Sequence, residues 1–423
     1  VSLRAARSGR RLFIAGLGVG QIASWGTLYY SFALIAERMG HDLGLSKPEV
    51  YGAATVGLLI ASFTAYPVGL AIDGGHGRRV MALGSVVAGL LLLAWSRVGS
   101  LWPLYPLLAG IGLAQAMTLY EPAFAVVARR YGLEARQGIT ALTLWGGFAS
   151  TVFVPLIQWL LNVSDWHTTL VVLGLINLGL CVPLYLGVIN PKADASAPTP
   201  TSVAGNTALG GQPIVRWALR QPAFWGLLVA FTVYYGMFSG LSFHLYELLL
   251  ERGLDSTTVV SVIALIGPAQ VAGRIVVWRF AERASVRVVG RVVVLAFPVA
   301  IALLLMLPPG FASLAVFAVI YGAANGVITI IRGVAIPEML TRESYGAINS
   351  VLAIPATIAR AVSPLAIALL WAASGSYNSV LVATLIGSAL VVAGFWFAAA
   401  QTDPEKLPGG VPSAADQHDH NDN

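Results

Sequence analysis

The sequence predicts an all-α membrane protein of twelve transmembrane helices in two six-helix, pseudo-symmetric lobes. Three observations carry that prediction. Hydrophobic residues fill 57% of the 423 positions and charged residues only 10%, with a mean hydropathy of +0.77. A soluble domain carries about 25% charge, so this chain has too few charges to cover a water-exposed surface. Apolar windows of about 20 residues, the length that crosses a bilayer, recur twelve times. One polar stretch divides them six and six.

The windows centre on residues 11–37, 50–72, 79–97, 102–129, 137–161 and 167–189, then on 222–249, 257–279, 287–307, 311–337, 345–371 and 377–400. Ahead of the first, "VSLRAARSGRR" lacks a signal-peptide cleavage pattern and reads as the cytoplasmic flank of a retained helix. Between the sixth and seventh, "NPKADASAPTPTSVAGNTALGGQP" has the composition of a flexible linker. The expected organisation is a first lobe over 1–189, a cytoplasmic linker over 190–220, a second lobe over 221–400 and a disordered tail over 401–423. His418 and His420 fall in that tail and are read as part of it, not as metal ligands. The single cysteine, Cys181, excludes an internal disulfide framework.

Basic residues set the orientation. With the N-terminus cytoplasmic, 18 of the 25 Lys and Arg fall in cytoplasmic segments and 4 in outer loops (Arg38, Lys47, Arg97 and Arg252). The formal charge of +6 is thus a topology signal and does not indicate nucleic-acid binding. The remaining three, Arg274, Arg332 and Arg360, lie inside spans, and Glu121 is read as the one acid well inside a span. The halves also echo each other: Gly138 and Pro155 in span five match Gly346 and Pro364 in span eleven, at offsets of 208 and 209. Parallel six-helix repeats point to a transporter with a central site between its lobes.

Several stretches carry a family resemblance. "GLAIDGGHGRRV" (69–80) resembles the cytoplasmic loop signature of the major facilitator superfamily, although Asp73 to Gly77 is one residue longer than usual and Gly74 stands where a basic residue is normal. The signature implies a gating role for Asp73, accepting bonds from helix N-termini or pairing with Arg78 or Arg79 to latch the lobes. Within that superfamily, "SWGTLYYSFAL", "HDLGLSKPEVYGA" and "RRYGLEARQGITALTLWGG" resemble the monocarboxylate-transporter-like and oxalate:formate-antiporter-like branch. The resemblance implies that Arg274 grips a substrate carboxylate and that Arg360 is a second cation. Monocarboxylate carriers place an Asp where this chain has Gln270, and a Lys in span one that this chain lacks.

Physical reasoning on depth runs beside the resemblance. A charge at the bilayer centre costs roughly 2.5–3.5 kcal/mol on insertion scales. Arg360 is close to its span's midpoint, roughly 15 Å from either interface of a ~30 Å core, too far to snorkel. It must face water, a partner or a ligand. Arg274 lies roughly 9 Å to the cytoplasmic side of its span's middle. Its planar, permanently charged fork suits a carboxylate. Arg332 and Glu121 sit at similar depths: snorkelling and function are both open for Arg332, and proton carriage and ion pairing for Glu121. Pro122 after Glu121 frees a carbonyl and is expected to bend the helix. The aromatics Trp25, Tyr29, Tyr30, Tyr234 and Tyr235, with Gln270, are candidate substrate-binding residues on helices that the resemblance places around the cavity. His244, near the outer end of span seven, is expected to be an exposed polar residue.

The expected function is secondary transport of a small mono- or dicarboxylate by alternating access, with protons as a candidate co-substrate. Three Arg against one Glu within the spans favour anions. The alternative is a multidrug or toxin exporter of the same fold. With no nucleophile motif, metal-ligand cluster or phosphate loop, no enzyme activity and no cofactor are expected. The expected setting is a monomer in a bacterial inner membrane with both termini cytoplasmic.

Overall fold

In hydrocarbon every backbone N–H and C=O needs an internal partner, which a helix supplies within one segment. The computed structural model describes residues 3–131, 135–190, 212–280, 284–341 and 345–401, and every regular element among them is helical. α1 spans Leu12–Leu43, α4 Leu101–Tyr131, α5 Gly138–Val163, α6 Trp166–Val188 and α7 Pro222–Glu251. α8 spans Ser256–Phe280, α9 Val286–Met306, α10 Phe311–Met339, α11 Tyr345–Ser374 and α12 Tyr377–Gln401. α2 (Lys47–Ala71) and α3 (Gly77–Trp95) share one apolar stretch of 49 residues. At about 1.5 Å per residue that is over twice the hydrocarbon thickness, and Gly75, at φ 82, turns the chain back. Trp102, Tyr66, Phe63 and Met306 are strongly exposed, as lipid-facing side chains should be.

The linker expectation needs one correction. Residues 191–211 and the tail from 402, with His418 and His420, lie outside the described residues, but Gln212–Arg220 is a helix. Ile214, Trp217 and Ala218 repeat at helical spacing, and Ala218 is buried.

The repeat is visible in the caps. Gly44 (φ 64) ends α1 and Gly253 (φ 83) ends α7, an offset of 209; positive φ is where a Cβ is penalised. Ser46, with Glu49 in a capping box, starts α2. Asp255 accepts from the Thr258 N–H at 2.9 Å to start α8, again 209 residues on. Each lobe also packs the corresponding pair of helices through small residues. In the first, the α2 and α4 backbones meet at Gly57 and Gly112; in the second, Gly322 and Gly326 of α10 lie against the α8 backbone. Such stripes let helices approach where lipid supplies no hydrophobic drive. Between lobes, α2 packs on α11 and α5 on α8. We call the side where α1 begins and α12 ends the terminus side, and the opposite side the far side.

Candidate functional site

The centre of the bundle is built around an irregular turn of α1. Residues Gly26–Tyr30 form a π-helical segment, a wide turn that re-aims side chains and often marks functional positions. It leaves the Leu28 carbonyl to the Gln115 amide, which donates at 2.7 Å, and presents Tyr29 and Tyr30 toward the second lobe. Tyr30 and Gln270 line a central cavity with Ser150, Ser242, Phe238 and Tyr321. At about 40 Å³ it has room for a few waters at most, so the lobes here are closed upon it.

Arg360 and Tyr29 form one corner of this centre. The Arg360 guanidinium carbon lies 5.9 Å from the Tyr29 ring centroid, within cation–π reach. Its Nε makes no hydrogen bond, and the buried Tyr29 hydroxyl makes none of good geometry, although Ser239, Ser242 and the Arg360 guanidinium itself lie beside that hydroxyl. Pro355 and Pro364 flank Arg360 in α11. Pro364 has no N–H for the Arg360 carbonyl, and Ser363 Oγ approaches that carbonyl at 3.5 Å.

Arg274 is held differently. It is 8% exposed, and its donors go to the protein: Nε to the Gly326 carbonyl at 3.1 Å, Nη1 to the Thr143 carbonyl at 2.8 Å and Nη2 toward Thr329 Oγ1 at 3.5 Å. Thr143 belongs to α5 in the first lobe, so Arg274 ties the lobes together one turn below Gln270. Beside it Gly147 and Gly267 bring the α5 and α8 backbones into close approach, and Thr151 Oγ1 donates to the Ala264 carbonyl at 3.0 Å. Sequence reasoning read Arg274 as an anion grip; in this conformation its donors go to two carbonyls and the Thr329 hydroxyl.

The other candidates divide. Arg332 donates to the Tyr235 hydroxyl at 3.3 Å, with its guanidinium 5.0 Å from that ring's centroid, and its Nε is unpartnered. Tyr234 donates to Asn325 Oδ1 at 2.9 Å and is a buried support. Trp25 packs between Tyr29 and Tyr120. The bend expected at Pro122 is present: α4 breaks at Leu119, and the Thr118 carbonyl that Pro122 leaves free accepts from Gln21 Nε2 at 2.7 Å. That break turns Glu121 outward. Its side chain is exposed, and no arginine among the described residues lies within ion-pair distance of it, so neither reading left open for Glu121, a desolvated proton carrier or an ion pair, is met in this conformation.

Two further expectations are corrected. The Asp73 carboxylate is exposed, and it is the Asp73 carbonyl that accepts a bond, from Arg129 of α4, while Arg78 is half-buried and Arg79 exposed. The bent 72–76 turn aims this peptide at the same lobe, so no latch between lobes forms through Asp73 here. His244 is fully buried, stacked on Tyr51 at 3.9 Å, with Nδ1 2.8 Å from the Tyr377 hydroxyl and Nε2 2.8 Å from the Pro364 carbonyl. A carbonyl only accepts, so Nε2 carries the proton and Nδ1 accepts from Tyr377. The first lobe's α2 covers it, a contact that position along span seven does not reveal. Sequence reasoning also missed Ser150, Ser242, Tyr321 and Asn325. Their signal was small or polar side chains at mid-depth in apolar helices. Among the described residues no group of three or more His, Cys, Asp or Glu converges as a metal site.

Among the described residues, twelve long apolar helices in two repeated lobes surround a central, mostly apolar cavity, and the Major Facilitator Superfamily model matches residues 17–309. The chain belongs to the Major Facilitator Superfamily. This facilitator is a membrane transporter and not an enzyme. It is 28% identical over 340 residues to monocarboxylate transporter 13 of Rattus norvegicus, covering 78% of this chain and 73% of the relative. It is also 28% identical over 269 residues to monocarboxylate transporter 11 of Homo sapiens, covering 62% of this chain and 53% of that one. In fold it is similar to a POT family transporter solved in complex with 5-aminolevulinic acid, with a TM-score of 0.72 at 14% identity over 92% of this chain and 96% of that one. Its sequence resemblance is therefore to monocarboxylate transporters.

Proposed function

We propose that this facilitator is a secondary transporter of small organic anions, mono- or dicarboxylates, working by alternating access in a bacterial inner membrane. It acts as a monomer of two lobes, residues 1–189 and 221–400, with both termini cytoplasmic. The single observation that carries the anion assignment is Arg360: a mid-span guanidinium whose Nε has no partner, resting against Tyr29, whose hydroxyl lies beside it without a well-formed hydrogen bond. A buried donor without an acceptor is costly, and a carboxylate supplies the missing acceptor in bidentate form. The names of the relatives, monocarboxylate transporters 13 and 11, support the same substrate class.

In this reading Arg360 and Tyr29 meet the anion first, with Tyr30 and Gln270 lining its path. Arg274 joins when the Thr143 carbonyl gives way, so the anion and the α5–α8 tie compete for one fork. Arg332 and Glu121 flank the route on the terminus side. The test is a thermal-shift screen of purified protein against lactate, pyruvate, oxalate and succinate and against cationic dyes, because a ligand that binds only the folded state raises its stability. Stabilisation by a carboxylate is the expected result. Stabilisation by cations alone overturns the anion assignment and favours the exporter reading.

A further inference from the structure

The far side of the molecule holds a buried carboxylate that sequence reasoning passed over. Glu247, one turn before the end of α7, is 3% exposed, and its Oε1 has no hydrogen-bond partner. It lines a cavity of about 200 Å³ with Glu37, Gly40 and His41 of α1 and with Lys47, Val50 and Tyr51 of α2. The lining on α1 and α2 belongs to the first lobe and Glu247 to the second. The lobes bury Glu247 between them.

An ionised carboxylate in such a place needs a cation or several donors, and the neighbouring groups are otherwise engaged. Lys47 holds its ammonium 4.0 Å from the Trp371 ring centroid and 5.0 Å from that of Tyr377, with Glu37 and Glu251 as its charged neighbours. Arg38 donates to the Leu161 carbonyl at 2.7 Å. His41 is exposed and lies 3.8 Å from Asp42. Tyr51 gives its hydroxyl proton to the Phe243 carbonyl at 3.2 Å. From α5, Gln158 accepts from Tyr246 at 2.8 Å. On α7 itself, His244 is bound to Tyr377 and Pro364, and Glu251 accepts from Trp371 Nε1 and the Tyr377 N–H, both at 2.7 Å. A metal cation is disfavoured, because hard cations collect several oxygen ligands and Lys47 and His41 line the same space.

We infer that Glu247 is a proton-binding site on the far-side gate: it takes one proton from water when the lobes close over it and returns that proton when they part. The inference rests on the alternating-access reading for its consequence in transport. It needs no anion for its direct test. Closure in this scheme is coupled to proton uptake from the far side, by a carboxylate other than the span-eight acid that Gln270 replaces.

Infrared spectroscopy of the full chain in lipid nanodiscs at neutral pH tests the site, since a protonated carboxyl shows a C=O stretch that a carboxylate lacks. The expected result is a band in the wild-type protein that is lost in Glu247→Gln, kept in Glu37→Gln, and unchanged between sodium chloride and choline chloride. Absence of the band from the wild-type-minus-Glu247→Gln difference overturns the proposal. A band present in choline and abolished by sodium makes the site a metal-ion site and overturns it equally. Should Glu247→Gln fail to fold, Glu247→Asp keeps the acid, and its band must shift in position. In proteoliposomes, pH-driven uptake of radiolabelled lactate should lose its dependence on the gradient in Glu247→Gln while lactate counterflow persists. If the wild-type protein moves no lactate, pyruvate, oxalate and succinate take its place in the same assay; if it moves none of the four, the anion reading fails and the infrared result still decides the proton site.

Discussion

Arg274 and Arg360 are the same residue type, the first buried and the second half-buried, on helices that sequence reasoning treated as two halves of one clamp. The structure uses them in opposite ways. Arg274 directs three nitrogens to protein oxygens, one of them across the lobe boundary. Arg360 keeps its Nε without a partner and leans on a tyrosine ring. A guanidinium held by two carbonyls and a hydroxyl strengthens a conformation. One left short of acceptors awaits a ligand. Burial and acceptors together separate the two roles: the more buried guanidinium is the one that protein oxygens surround.

The largest effect should come from removing the unsatisfied member. Arg360→Gln should leave the thermal midpoint nearly unchanged and weaken carboxylate binding roughly ten- to a hundred-fold, from about 1.5–3 kcal/mol per charged hydrogen bond lost. Isothermal titration with the carboxylate found in the screen measures it. Wild-type affinity in a folded Arg360→Gln protein would remove Arg360 from the binding site.

Arg274→Lys should show the reverse pattern. A point charge cannot serve three divergent acceptors, so stability should fall by about 1–3 kcal/mol as buried carbonyls lose donors, read as a lower thermal midpoint without ligand. A midpoint equal to wild type would show that the tie across α5 and α8 contributes nothing.

Tyr29→Phe sharpens the contrast with effects of opposite sign. Deleting a buried hydroxyl that lacks a well-formed hydrogen bond should stabilise the unliganded protein slightly, while carboxylate affinity falls by about 0.5–1.5 kcal/mol. Parallel thermal and binding measurements check both, and equal losses would mean the hydroxyl is structural. The smallest effect belongs to Arg332→Gln. Its contact with Tyr235 is partly exposed, and cation–π pairs at such sites contribute about 0.5–1 kcal/mol. Stability should drop by no more than that, with carboxylate affinity unchanged; a loss comparable to Arg360→Gln would extend the clamp to α10.

The helix count, the two lobes and the bend at Pro122 were legible in the sequence because each follows from local physics. Apolar length sets a span, an echo of 208 and 209 residues pairs Gly138 and Pro155 with Gly346 and Pro364, and a proline always forfeits an N–H. Depth along a span was legible too, and it singled out Arg274, Arg332 and Arg360. The partner of each group was not. His244 reads as exposed until α2 covers it, and Glu247 draws no reading at all until the first lobe's α1 and α2 close over it. Asp73 reads as a latch until the turn at 72–76 aims its carbonyl at Arg129. These outcomes depend on which surfaces two lobes press together, and residues such as Thr143 and Arg274, 131 positions apart, meet only there. Sequence by itself determined where charge enters the membrane. Only the tertiary structure decided which charges are satisfied, because satisfaction is a property of neighbours brought together by folding and not of position along a helix.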